Sequence, residues 1–229
     1  MDYFKQPLTF KLKKVLRYLA LYGPSRTYYK VLGQKHMQKN FAVLPPQIGN
    51  QRADQAVGII GCGNYSFATI GYYLKKEFGY VIRACMDKDI NRAASFAAQF
   101  RVPQYTDQAD EIIENRDIRL IYIASNHATH AEYAIRALEY GKDVYIEKPQ
   151  VVSLDQLHRL HMAIRNCEGK VFLGFNRPVS RFGLIIQSYL GGQSGAGMYN
   201  WFVIGQAIDS NHWYFNKGEG GRVMGNLCH

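Results

Sequence analysis

Ala56-Val57-Gly58-Ile59-Ile60-Gly61-Cys62-Gly63-Asn64-Tyr65-Ser66 is the stretch that decides the fold. Its apolar run reads as a buried strand, its two glycines as a tight turn, and the residues beyond, as far as Glu77, as a helix. Gly61 permits the turn, and Gly63 lets backbone come close to a pyrophosphate. The N–H groups opening the helix then face the anion, with the helix dipole adding to the attraction. Ser66 stands where a small residue closes helix onto strand. A glycine pair alone reads equally well as a plain turn; the strand before it and the helix after it favour dinucleotide binding. Tyr80 to Met86 reads as a second buried strand, ending at Asp87. A carboxylate there can accept hydrogen bonds from ribose hydroxyls, the alternative being a cap on the helix that begins near Asn91. Lys88 follows and would tolerate a 2′-phosphate, so NAD is the expected cofactor and NADP stays open.

The alternation continues along the chain. Leu120–Ala124 reads as a strand, Ala128–Tyr140 as a helix ended by Gly141, and Val144–Ile146 as a strand. Ser153–Asn166 has helical apolar spacing, and Val171–Phe175 reads as a further strand. Strands separated by helices imply right-handed crossovers, hence an α/β fold with a parallel sheet covered on both faces. Ligands in such sheets sit beyond the carboxyl ends of the strands. Those ends are Gly61–Gly63, Asp87, Ser125–His127, Glu147–Pro149 and Asn176–Arg177, so most of the chemically interesting residues fall on one rim.

Five motifs, taken together, resemble the glucose–fructose oxidoreductase/inositol dehydrogenase (Gfo/Idh/MocA) family. They are the Gly61–Ser66 loop with Asp87, Ser125-Asn126-His127-Ala128-Thr129-His130, and Gly141-Lys142-Asp143-Val144-Tyr145-Ile146-Glu147-Lys148-Pro149. Gly174-Phe175-Asn176-Arg177 and the segment from Gly220 to His229 complete the set. The resemblance runs from about residue 56 to the last residue and implies a doubly wound Rossmann domain followed by an α+β substrate domain. Residues 1–54 then form a basic helical extension and linker, 55–175 the dinucleotide-binding domain, and 176–229 a partial substrate or oligomerisation domain. That last stretch is shorter than the family's substrate domain, which reads as a truncation.

By the same resemblance the chemistry is hydride transfer between nicotinamide and a hydroxyl-bearing carbon of a sugar, sugar nucleotide or cyclitol. Lys148 matches the family's active-site lysine, and His229 its proton-exchanging histidine. An imidazole suits that task because its pKa lies near neutrality. Many members carry an aspartate four residues before that histidine; here Gly225 stands there. The cofactor set implied is Gly61, Gly63, Asn64, Tyr65, Ser66, Asp87, Ser125, Asn126, His127, Glu147 and Lys148. The substrate set is His130, Asn176, Arg177, His212 and Trp213, the last two in a loop similar to that of a polysaccharide-biosynthesis subgroup. Without the resemblance, Lys148 reads as a strand-end ion pair with Glu147, Asn126 as a helix cap, and the histidines as surface or loop residues. A relative that uses NAD for elimination without net redox, and an inactive dinucleotide-binding protein, are the rival functions.

Composition bounds the rest. Residues 1–55 carry ten Lys/Arg against two acids, a net of +8, whereas the remainder carries 18 basic and 16 acidic side chains. The excess charge thus belongs to the extension. There Leu12, Val15, Leu16 and Leu19 share a helical face, with Lys11, Lys13, Lys14 and Arg17 largely off it. Gly23-Pro24 ends this helix and a second follows to Gly33. Such a helix can dock on the protein body or a partner, or lie on an anionic membrane as a peripheral contact. Nucleic-acid binding is not expected, because no recognition motif accompanies the charge. Cys62, Cys85, Cys167 and Cys228 lack ligand spacing, so neither a metal site nor a disulfide framework is expected and the setting reads as cytoplasmic. A small carbohydrate is the expected partner, with homo-oligomers in the full-length form.

Overall fold

A computed structural model describes residues 6–49 and 54–192, and beyond them 194–195, 197–198, 200, 202, 208, 210–216 and 218–221. Six strands make one sheet: β1 (Val57–Ile60), β2 (Ile82–Met86), β3 (Gln104–Thr106), β4 (Leu120–Ile123), β5 (Asp143–Ile146) and β6 (Val171–Leu173). Their order is β3-β2-β1-β4-β5-β6, and every neighbouring pair is parallel. The parallel sheet is the one expected from the alternating pattern, and its order is the doubly wound Rossmann arrangement that the resemblance implies.

Side chains of a strand point alternately to the two faces, and each face has its own core. Ile60, Ile121, Ile123, Val144 and Ile146 pack with Ile112, Ile113, Ala131 and Leu138 on one side. Ile59 and Cys85 pack with Phe67, Leu74, Phe96 and Phe100 on the other. Helices α2 (Tyr72–Phe78), α3 (Ile90–Phe100), α4 (Asp110–Ile113), α5 (His130–Glu139) and α6 (Leu154–Asn166) cover these faces. Fully burying one such aliphatic or aromatic side chain stabilises the fold by roughly 1.5–3 kcal/mol.

Several details depart from the sequence pattern. The helix after the glycine loop begins as a π-helical turn, Ser66–Gly71, before α2. Helix α5 is preceded by a 3-10 turn, His127–Thr129. Short β3 and α4 were not foreseen; at three and four residues they are too short for periodicity to register and exist through packing on the sheet. Beyond the sheet comes α7 (Arg181–Leu190), capped by Ser180, whose side chain accepts from Gly183 N. The apolar run 198–204 falls partly outside the described residues, and its described members, 198, 200 and 202, are not in a strand. Among the described residues after 176 there is α7 and a 3-10 turn at Trp213–Phe215, with no strand.

The extension is one helical element, α1 (Leu8–His36), broken at Gly23, where φ is 76° and ψ 173°, just before Pro24. Its second half lies on the body. Arg26 Nη2 donates to Thr69 Oγ1 at 2.9 Å, and the Tyr29 ring lies 4.9 Å from Tyr72 and 5.9 Å from Phe100. Its first half leaves Leu8, Leu12 and Leu16 exposed. The helix that docks is thus the second, after Gly23, while the stripe of Leu12, Leu16 and Leu19 that was expected to dock stays exposed. Among the described residues no helix is long and apolar enough to cross a membrane.

Candidate functional site

Because the strand order reverses between β1 and β4, a crevice opens at their carboxyl ends. A cavity of about 760 Å³ occupies it. At one end it is lined by Gly61, Gly63, Asn64 and Asp87, with Lys88 and Arg92 beside them. Ser125, Asn126 and His127 line the middle, and Glu147, Lys148, His130 and the His212-Trp213-Tyr214 loop the far end.

The glycine loop is tied down on all sides. Gly61 has φ of 94°, and its N–H donates to Met86 O at 2.8 Å. The Cys62 N–H donates to Asp87 Oδ2 at 2.8 Å, so the end of β2 braces the loop after β1. Asp87 does not cap the following helix; Asp89 does, accepting from Asn91 N at 3.1 Å. Ser66 is fully buried behind the loop, its hydroxyl donating to Gly61 O at 2.5 Å, and it is absent from the cavity lining. A Cβ on Gly63 would meet nothing within 4 Å, which leaves an open cradle over the loop. Open space over backbone N–H groups, next to a carboxylate at the end of β2, fits a dinucleotide pyrophosphate and ribose.

At the far end Glu147 is buried. Burial pushes its carboxyl above the usual range, against the pull of the Lys148 N–H, Tyr65 and Tyr145. Tyr65, beside that carboxyl, is pushed up to about 12, chiefly by burial. Burial also draws the Lys148 ammonium below the ordinary lysine value, Arg177 adding to the effect and Glu147 opposing it. Arg177 and Asn176 are exposed and do not line the cavity.

His130 is buried, with Nδ1 2.7 Å from Pro149 O and Nε2 3.1 Å from Ser125 O. It sits between the ends of β4 and β5; burial lowers its pKa, and the neutral ring donates to one of the two carbonyls. His127 is held near 4 by burial and stays neutral at physiological pH. Its Nδ1 faces Glu219 O at 3.0 Å, and since a carbonyl only accepts, the ring proton sits on Nδ1. Its ring packs against Trp213 at 4.6 Å and Tyr214 at 5.0 Å.

Glu219 was not foreseen. Its carboxylate accepts from Asn126 Nδ2 at 2.8 Å and from Ala128 N at 3.2 Å, fastening the 210–221 segment over the end of β4. No local pattern announces a contact spanning more than ninety residues. His229 lies outside the described residues. Among the described residues no cluster of His, Cys, Asp and Glu could hold a metal ion.

The sequence pattern of the GFO_IDH_MocA family, described as an oxidoreductase family with an NAD-binding Rossmann fold, matches residues 55–175. Oxidoreductase P35 of Formosa agariphila is 33% identical over 120 residues, covering 52% of this chain and 37% of its own. Inositol 2-dehydrogenase of Ralstonia nicotianae is 30% identical over 126 residues, covering 53% of this chain and 37% of its own. Among solved structures, levoglucosan dehydrogenase in complex with NADH and levoglucosan superposes with a TM-score of 0.53 at 23% identity, over 59% of this chain and 39% of that one, a likeness of fold. The chain thus spans little more than a third of the length of these curated relatives. With the family's pattern covering more than half of the chain, and the parallel sheet and glycine loop where that pattern requires them, the protein belongs to the GFO_IDH_MocA oxidoreductase family.

Proposed function

We propose that the cleft binds NAD(H), or NADP(H), and serves a dehydrogenase acting on a hydroxyl-bearing carbon of a sugar, sugar nucleotide or cyclitol. The observation that carries this reading is one continuous cavity running from Asp87 to Lys148 across the switch point of the sheet. Gly61, Gly63 and Asn64 would hold the pyrophosphate, Asp87 the ribose hydroxyls, and Lys88 with Arg92 a 2′-phosphate where one is present. When bound, the nicotinamide accepts or supplies the hydride.

The chain's own residues do the rest. Lys148, half-buried with a lowered pKa, would hold the reacting hydroxyl and take part in moving its proton. His127 is neutral and its N–H is held by Glu219, so it would orient ligand and not donate protons. Tyr65, Ser125, Asn126 and Glu147 would position the cofactor, and Asn176, Arg177, His212 and Trp213 the substrate, while His130, expected among the substrate contacts, would brace the site from behind. The assignment of proton exchange to His229 rests on the sequence resemblance.

The first test is titration with NADH and NADPH, followed by energy transfer from tryptophan. Saturable binding is expected, weakened about 10- to 100-fold by Asp87→Ala, the loss of hydrogen bonds to a charged group. Folded protein that binds neither nucleotide would overturn the reading. Sugar release without net change in NADH would point instead to a glycoside-cleaving relative.

Two associations belong to the same proposal. The exposed arm 8–22 carries Lys11, Lys13, Lys14 and Arg17 with no acidic residue, which suits an anionic membrane surface. Edge strand β6 and α7 expose Phe172, Leu173, Phe182 and Ile185, which suits a second copy. Co-sedimentation with anionic but not zwitterionic vesicles supports the first, and equal binding to both removes it. Sedimentation velocity decides the second, a monomer at all concentrations ruling it out.

A further inference from the structure

Helix α1 does more than pack on the Ser66–Gly71 turn and α3. His36, at its end, is buried at 3% exposure and stacks on Phe67 at 4.2 Å. Its Nε2 lies 2.6 Å from Cys62 O, in the middle of the glycine loop, and its Nδ1 2.9 Å from Ser95 Oγ on α3. A carbonyl oxygen can only accept, so Nε2 carries the proton and Nδ1 receives the serine hydroxyl. Burial, reinforced by Arg92, keeps the ring neutral against the opposing pull of the Cys62 carbonyl, Asp87 and Asp89. Nearby, Gly33 lies so close to Asn64 and Ala68 that a Cβ there would collide with the Asn64 side chain. The chain then continues along α3, where Phe41 N donates to Asn91 Oδ1 at 2.9 Å, and Met37 joins the cavity lining.

We propose that residues 24–41 are a working part of the dinucleotide site, with His36 the positioning residue that sets the orientation of the Cys62–Gly63 peptide. The reason is the planarity of that peptide. In a trans amide the C=O and the N–H lie on opposite edges, so holding the Cys62 oxygen toward α1 turns the Gly63 N–H the other way. Gly63 lines the cavity, and the space above it is open. Without His36 the peptide can rotate and present its carbonyl, which repels phosphate oxygens, where a donor is needed. Residues 24–41 lie outside the part matched by the family's pattern, so this brace is an addition to the family's core. The inference rests on the dinucleotide reading above.

Two near-isosteric variants separate positioning from packing. A glutamine amide reaches the place of Nε2 and can still donate to Cys62 O; an asparagine amide reaches the place of Nδ1 and cannot. His36→Asn is expected to weaken NADH binding about tenfold, the worth of one lost hydrogen bond. It is also expected to speed backbone amide exchange over 62–66 in the protein without nucleotide. His36→Gln should restore both to near the parent values. Equal behaviour of the two variants in folded protein, or unchanged loop exchange in His36→Asn, overturns the proposal. If the parent binds no NADH, the dinucleotide reading is what fails, and loop exchange alone then decides whether His36 orders the loop.

Discussion

Lys148→Ala is expected to lower turnover by roughly 10²- to 10⁴-fold, the range for removing a group that moves a proton in the transition state. NADH affinity should stay within severalfold of the parent's, because the proposed cofactor anchors lie at the other end of the cavity. The side chain sits where β5 ends, next to buried Glu147 and close enough to Arg177 for its charge to be felt. Both burial and Arg177 disfavour the ammonium, so the amine loses its proton below the ordinary lysine value. Alcohol oxidation by the parent should therefore rise with pH through a midpoint below that of a solvent-exposed lysine. Lys148→Arg, which keeps the charge but does not titrate, should flatten that limb. Steady-state rates on a sugar or cyclitol substrate, read beside NADH titrations, check both statements. Full activity in the alanine variant, or equal loss of cofactor binding and turnover, would remove Lys148 from the chemistry.

Gly61→Ala should be the most damaging single change to the fold. Gly61 holds φ of 94°, where a residue with a Cβ is strained, and that Cβ would lie 2.5 Å from Ser125 N and 2.6 Å from the Ala124 carbonyl. Those atoms are backbone at the end of β4 and cannot swing aside. Left-handed strain of about 1–2 kcal/mol adds to overpacking of about 1–3 kcal/mol, a large share of a domain's roughly 5–15 kcal/mol. Urea titration should show the loss directly. Gly63→Ala is the informative partner: with nothing near its Cβ it should fold like the parent yet bind NADH poorly, since a methyl would fill the anion's place. An alanine at 61 that leaves the unfolding midpoint unchanged would mean the loop does not cross β4 as described.

How much of this could be read in advance depends on how local each feature is. β1, the glycine turn and the helix after it announce themselves within a dozen residues, because burial, turn chemistry and helical spacing act between neighbours in sequence. So do Asp87 and the Glu147-Lys148-Pro149 turn, which strand ends place automatically on one rim. The docked half of α1 was legible as a second helix after Gly23-Pro24, but not where it would lie, and the amphipathic first half stays exposed. β3 and α4 escaped because elements so short carry no period. The assignment of capping to Asp89, not Asp87, turned on a two-residue offset that propensity does not resolve.

The sequence by itself determined the parallel α/β sheet, the glycine loop and the rim on which the cleft would form, since each follows from periodicity and residue type along short stretches. Only the tertiary structure decided that His36 holds the loop from behind, that Glu219 fastens the aromatic loop over β4, and that Ser66 and His130 brace the site from buried positions. Those contacts join residues far apart in the chain, and which distant groups meet is settled by how two layers of helices pack on a twisted sheet.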